Sequence, residues 1–465
     1  MDDMLKKSVP AKNAFSVSRF ISLGGFDRSN IILHSRRQHA VGQGGFHSGL
    51  LERADSSVLF VQKENSIEII SPSPYRYVYD CGSKKLADCE QSIERFLVDC
   101  HDKNLDLLFL SHFDNDHVNG VPALLDKRGG LHVDTVVMPW VDDVERMIAW
   151  GKTTASRASS SDFYSALLVD PEEALRPFDP ARIIFVRAAG DDVPEAGVVD
   201  IGPLGPGGEG PFRTKVASIG RDGSRRPPYG RTQYSGRTQV LVVDSRAAIE
   251  VSGGAGFLWL LKPYVRRTDP VIVAKFERAA EKKLSWTYGT FRNAVSDKAV
   301  RAELVRDVKK SAALAAAYKS AVGNRNLTSL CLYSGPDATD NEPAPMMIRL
   351  GPDRCGLATR IGWLGSGDIS LAAPADGQAF LDHYATELTA VTSFGLPHHG
   401  AKPNHSKHVL SVINPNICYA SAKPPKNWQH PHPDVFADAQ SIGARTFKVS
   451  NHEKSMLDEA FAIVG

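Results

Sequence analysis

The sequence predicts an α/β domain of layered sheets and helices, on three observations. Strand-like and helix-like patterns alternate between residues 75 and 140, the order that builds a sheet covered by helices. Strand patterns return after residue 326. The apolar run "LDLLFL" (105–110) suits a strand buried on both faces. It ends on a loop that places His112, Asp114, Asp116 and His117 within six residues.

The elements follow in order. A polar N-terminal arm is expected over 1–35. "SVLFVQKE" and "SIEIISP" read as strands, and "YRYVYDCGS" (75–83) as a strand ending in a turn. "LADCEQSIERFLVDCHDKN" has the apolar spacing of a helix, and "LDLLFLSH" and "HVDTVVMPW" (132–140) are further strands. The middle changes character: "TTASRASSSDF" is Ser-rich, and 202–237, rich in Gly, Pro and Arg, predicts one long loop. "DKAVRAELVRDVKKSAALAAAYKSAV" (297–322) predicts a single helix. "NLTSLCLYSG", "RIGWLGSGD", "VTSFGLPHHG" and "NICYASAKP" then resume the strands. The simplest organisation is one α/β domain from 36–142 and 322–465, with a partly helical insertion over 143–321.

Composition narrows the class. The 465 residues carry a net charge of +2 and are 42% hydrophobic, ordinary for a globular chain. No run approaches the roughly 18 apolar residues of a membrane span; the densest window, "GFLWLLKPYV", is interrupted by Lys262 and Pro263. The first residues lack an apolar signal core and a small-residue cleavage site. Six dispersed cysteines with no CxxC pair read as reduced thiols rather than a disulfide framework. A cytoplasmic protein with no membrane partner is the expectation.

The loop "HFDNDH" (112–117) is either an exposed polar turn or a metal site. The buried strand before it favours the second, because α/β folds bind ligands at the C-terminal ends of their strands. Four such groups also dehydrate at a cost unless a cation meets them. Asp with His suits Zn²⁺ or Mn²⁺. The fifteen histidines support the same placement: none lies between 133 and 382, so they cluster where the α/β core was drawn and avoid the insertion.

With these residues in view, the chain resembles the metallo-β-lactamase fold, whose HxHxDH signature "HFDNDH" matches with Asp114 in place of the second His. It is most similar to the metallo-β-lactamase domain of ComEC competence proteins. "HAVGQGGFHSG" (39–49) is similar to that family's GQG turn, "YDCGS" to its Asp-x-Gly turn, and "NLTSLCLY" (326–333) to its Asn-x-x-Ser strand. "WLGSGDIS" (363–370), "LPHHGAK" (396–402) and "HPHPDV" (430–435) resemble its TGD, HHG-Ser and HPHP motifs. The segment 143–321 has no counterpart. Gly45 stands where the family has Asp, and Ala401 where it has Ser.

The resemblance implies an αββα sandwich with metal at one edge. It implies that Asp116 and His117 bind one ion together with His398 or His399, with His398 favoured, and that Asp368 is the bridging carboxylate. His112 and Asp114 would hold a second ion, at a position short of ligands because no downstream histidine is available. Two ions about 3.5–4 Å apart share an activated hydroxide. The expected catalytic residues are therefore Asp116, His399, and the leaving-group donors His430 and His432 of "HPHP", whose alternative reading is a rigid surface turn. Lys402 is a candidate phosphate contact or a solvated lysine.

Local charge bears on the substrate. Residues 211–237 carry Arg225, Arg226 and Arg231 among seven basic residues against the single acid Asp222, with Phe212, Tyr229 and Tyr234 interleaved. Such a segment either tracks a nucleic-acid backbone or is a solvated loop. The sequence thus predicts a metal-dependent hydrolase, a phosphodiesterase or nuclease acting on nucleic acid or nucleotide, with a regulatory protein partner meeting the insertion. ComEC's DNA uptake is not expected to carry over, because these 465 residues show no channel-like apolar spans. The alternatives are a hydrolase of small lactones, thioesters or amides, and a binding module with a structural metal.

Overall fold

The computed structural model describes the chain from residue 31 onward. Outside it lie 1–30, 55–58, 64–65, 71–73, 101, 157–159, 189–196, 199–211, 221–223, 254–257, 323–327, 338–345, 351–355, 424–429 and 465. The architecture is mixed α/β, built on two large mixed sheets. Among the described residues no helix is long and apolar enough to cross a membrane.

The first sheet has twelve strands. Its centre is a parallel run, Tyr75–Cys81, Asn104–Phe109, His132–Pro139, Arg182–Val186 and Thr238–Val243. The antiparallel strands Phe46–Arg53, Ile31–Gln38 and Leu457–Val464 follow on the Tyr75 side. The second sheet has nine strands. It carries its own parallel run, Gly362–Gly365, Val391–Gly395, Ile417–Ser421 and Arg445–Val449. The antiparallel strands Leu330–Pro336, Leu258–Val265 and Ala247–Ser252 complete its middle.

Alternating side chains explain how these sheets stack. Tyr77, Phe109, Val137, Ile184 and Leu241 of the first sheet share one buried core with Ile249, Trp259, Leu261, Leu332 and Trp363 of the second. Leu108, Val136, Phe185 and Val242 point the other way, into a second core with the helices Leu86–Val98, Asp143–Ala155 and Pro270–Leu284. Leu260, Tyr333 and Leu364 do the same on the far face of the second sheet. A strand with neighbours on both faces gains from apolar residues at every position, which is why "LDLLF" lacks alternation.

Polar ties fix one sheet against the other. The hydroxyls of Tyr77 and Ser334 lie 2.7 Å apart, and the Tyr79 hydroxyl donates to the Leu330 carbonyl at 2.6 Å. Arg36 is the strongest tie. Its guanidinium pairs with Glu459 at 2.8 Å and donates to the Ile361 carbonyl and Ser393 Oγ, with both charged side chains at most 3% exposed.

Two sequence expectations are corrected. The loop expected over 202–237 contains the strands Arg213–Ile219, Arg225–Arg226 and Tyr229–Ser235, while 202–211 and 221–223 lie outside the described residues. Tyr229–Ser235 is largely exposed near the sheet edge, so it pairs through its backbone and shows no apolar period. Gly236, at φ 64°, turns it into Thr238–Val243 through a two-residue hairpin loop. The helix expected over 297–322 is two, Lys298–Arg306 and Val308–Ala321. Asp307 ends the first in extended conformation, and its carboxylate accepts the Lys310 N–H to cap the second. A short polar side chain competes with helix continuation in this way. The strand Ile31–Gln38 also begins inside the expected arm. The strands between 182 and 265 are members of both sheets.

Arg36→Ala should leave the Glu459 carboxylate buried without its cationic partner and remove the bonds to Ile361 and Ser393 on the other sheet. The expected loss is about 3–5 kcal/mol of unfolding free energy, read as a lower urea midpoint at unchanged slope. A change under 1 kcal/mol would show that Arg36 does not hold the sheets together.

Candidate metal centre

The parallel runs of the two sheets end at one edge, and the loops leaving them converge there. Asn104–Phe109 leads to His112, Asp114, Asp116 and His117; Gly362–Gly365 leads to Asp368; Val391–Gly395 leads to His398 and His399. Ligand-type residues from both ends of the chain therefore meet. Two triads, His112/His117/Asp368 and Asp116/His117/His399, each have donor atoms within 4.8 Å of one another.

Asp368 is the hub, and both its oxygens are flanked. Oδ1 lies 3.6 Å from His117 Nε2 and 3.7 Å from His399 Nε2. Oδ2 lies 3.6 Å from His112 Nε2 and 3.6 Å from His398 Nε2. These gaps are too long for hydrogen bonds. Bonds of about 2.0–2.1 Å to one ion place neighbouring donors of a tetrahedron roughly 3.3 Å apart, so the spacing fits a shared cation. His112 Nε2 and His117 Nε2 are buried with no hydrogen-bond partner among the described residues. This buried His/Asp cluster could hold a metal ion.

The surrounding hydrogen bonds fix the ring orientations. Asp80 accepts from the Ser111 N–H and hydroxyl, each at 2.6 Å, and from His117 Nδ1 at 2.8 Å. The Ser111 hydroxyl is thereby committed as a donor, so it accepts from His112 Nδ1 at 2.8 Å. Asn404 turns its amide N–H groups to the carbonyls of Asp368 and Ile369, leaving its oxygen to accept from His398 Nδ1 at 3.1 Å. In all three imidazoles Nδ1 is the donor in these bonds, so Nε2, the atom that faces Asp368, is the one left to ligate an ion. A Cβ at Gly45 would come within 2.8 Å of both Asp80 Oδ2 and His117 Nδ1. The glycine is what this hydrogen bond requires.

His398 and His399 lie on different sides of the hub. His398 at φ 47°, His399 at 57° and Gly400 at 77° form a left-handed turn. The His398 N–H donates to the Gly367 carbonyl at 3.0 Å. The turn sends His399 to the Asp116/His117 side, whereas the sequence favoured His398 there. His398 shares the other oxygen with His112. Non-glycine residues held left-handed are strained by about 1–3 kcal/mol each and persist where their surroundings enforce them.

Asp114 has a partner the sequence did not suggest. The ammonium of Lys152, on the helix Asp143–Ala155, forms an ion pair with its Oδ2. Burial opposes the charge on Lys152, but Asp114 and Asp368 outweigh it and raise its pKa, so the lysine stays cationic. Burial likewise opposes charge on His112, and Asp114 with Asp368 lift its pKa to about 10. Burial dominates at His399 and lowers it to about 3.

The remaining candidates are placed as follows. His430 stacks on His398 with centroids 5.9 Å apart; burial, aided by His398, lowers its pKa to about 4. His432 caps the helix Pro433–Ser441 by accepting the Asp434 N–H. Lys402 pairs with exposed Asp434 at 2.6 Å. Arg225 is held by the buried carboxylates of Glu250, at 2.5 Å, and Asp337. Arg226 is exposed on its strand, and the Arg231 guanidinium lies 5.6 Å from the centre of the Trp140 ring.

Comparison with known families finds no family that matches the chain, and no curated protein matches it.

Two outcomes test the cluster. Zn²⁺ affinity should rise as the pH rises above 6, because His117, whose pKa Asp80 and Asp368 raise against burial, must lose its Nε2 proton to bind. Calorimetry in buffers of different ionisation enthalpy should accordingly detect proton release. Asp80→Ala removes the orienter of His117 and should weaken affinity about 10–100-fold while the thermal transition stays cooperative. Unchanged affinity would assign Asp80 to the fold alone.

Proposed function

We propose that this chain is a metal-dependent phosphodiesterase or nuclease of the metallo-β-lactamase fold, acting on nucleic acid or a nucleotide. The observation that carries the reading is Asp368, held between four Nε2 atoms from both ends of the chain. The stacking of two sheets with helices on both outer faces supports the αββα sandwich that the motifs resemble.

Asp116, His117, His399 and Asp368 Oδ1 would hold a cation, with mixed nitrogen and oxygen donors suited to Zn²⁺ or Mn²⁺. Bound there, such an ion supplies Lewis acidity and lowers the pKa of water. The chain's own residues complete the site. Ser111, Asp80 and Asn404 hold the imidazoles in their ligating tautomers. Lys152, fixed against Asp114 beside His112, supplies positive charge where a second ion would otherwise stand. A phosphodiester places a non-bridging oxygen there, and a preorganised cation is worth most where charge develops. The five described cysteines are free and buried, which supports a reducing compartment such as the cytoplasm.

Protein loaded with Zn²⁺ or Mn²⁺ should hydrolyse bis(p-nitrophenyl) phosphate and labelled nucleic acid, with about one ion per chain by elemental analysis. Asp368→Ala and Asp116→Ala should abolish turnover. Lys152→Met should lower kcat about 10²-fold with little change in metal content. Turnover of lactones or thioesters but of no phosphodiester would replace this reading with the small-molecule one. Metal binding without any turnover would favour a structural ion.

A further inference from the structure

Beside the metal cluster lies a small cavity lined by His112, Asp114 and Lys152. It shares two wall residues, Glu145 and Thr328, with a larger cavity of about 280 Å³. Trp140, Arg187, Arg266 and Arg267 line that second space. They directly follow the strands His132–Pro139, Arg182–Val186 and Leu258–Val265, and so stand at the same sheet edge as the ligands.

The charges divide unevenly. Arg292, also in the wall, is neutralised by Asp142 and Glu277, each at 2.8 Å, and Arg266 by Asp376 at 2.6 Å. Glu145 accepts the Asp142 N–H at 2.9 Å and the Thr328 hydroxyl at 3.3 Å, and burial raises its pKa. Arg187 differs. Its Nε is buried without a hydrogen-bond partner among the described residues, and its guanidinium lies 5.8 Å from the centre of the half-buried Trp140 ring. Arg231 approaches the same ring. A planar guanidinium with an unused donor is matched in shape and charge by phosphate, and an arginine–tryptophan surface suits a nucleotide unit.

We propose that this cavity is a subsite for the neighbouring phosphate of a single-stranded oligonucleotide whose scissile phosphate lies at the metal cluster. The inference rests on the phosphodiesterase reading and narrows it. The substrate carries at least two phosphates, because the two cavities meet at the shared walls Glu145 and Thr328, with Lys152 lining one and Arg187 the other. The residues that reach the substrate also differ from those the sequence singled out, since Arg225 is occupied by Glu250 and Asp337.

The test compares substrates in the metal-loaded protein. The ratio of kcat/KM for a labelled single-stranded oligonucleotide to that for bis(p-nitrophenyl) phosphate should fall about 10-fold or more in Arg187→Ala. Most of the change should appear as a raised oligonucleotide KM, and Arg187→Lys should recover part of it. A folding defect lowers both activities and leaves the ratio in place, so an unchanged ratio in both variants overturns the subsite. Anisotropy of the same oligonucleotide separates the two readings. Arg187-dependent binding without cleavage of either substrate would sustain the subsite and remove the phosphodiesterase reading. Absence of binding together with absence of cleavage would remove both.

Discussion

A carboxylate buried among imidazoles is stable only if positive charge meets it, and Asp368 sets that condition for the whole edge of the molecule. At 3% exposure it has lost most of its hydration, a cost of several kcal/mol when nothing compensates. Positive charge comes from His112 and Lys152, while His117, His398 and His399 complete the ring around the carboxylate, and each needs a backbone that brings it there. The two parallel runs must therefore end at the same edge, the left-handed turn must separate adjacent histidines, and Gly45 must leave space for Asp80. A divalent ion satisfies this arrangement more completely than protons do, because protonated imidazoles in such proximity repel one another.

The same condition explains why the two sheets are tied so firmly. A relative slide of 1 Å would be tolerated by the Leu, Val and Ile side chains of the shared core, which pack without direction. It would not be tolerated by a ligand set divided between the sheets, since donor distances to an ion vary little. Directional contacts such as Tyr77 with Ser334 and Arg36 with Ile361 and Ser393 supply the stiffness that apolar packing lacks.

Much of this was legible in the sequence. Apolar runs bounded by turns marked the parallel strands, and dense ligand-type residues after one of them marked His112, Asp116 and His117, whereas Asp368 was reached only through the likeness of "SGD" to a family motif. What escaped detection has specific causes. Lys152 lies on an ordinary amphipathic helix in the stretch without histidines, and a single lysine carries no local signal. Ser111 and Asn404 are common polar residues whose roles exist only through hydrogen bonds across the loop. The choice between His398 and His399 depends on backbone torsion that adjacent, identical residues cannot reveal. The edge strand Tyr229–Ser235 was hidden because most of its side chains face solvent, leaving Gly236 as the only cue.

The pairing of Ile31–Gln38 with Leu457–Val464 has a consequence for how the molecule comes into being. The first described strand sits inside its sheet, between Phe46–Arg53 and a strand made from the far end of the sequence. At about 5–20 residues per second of synthesis, roughly 14 s to 56 s separates the emergence of His117 from that of His399. Throughout that interval Ile31–Gln38 offers an open hydrogen-bonding edge, and Arg36 has no Glu459. The nascent chain holds half a ligand set beside an unsealed sheet, a state exposed to mispairing with other strands. Sealing the edge and assembling the His/Asp cluster are thus late events in biosynthesis, and a chaperone that shelters the first hundred residues would act on both.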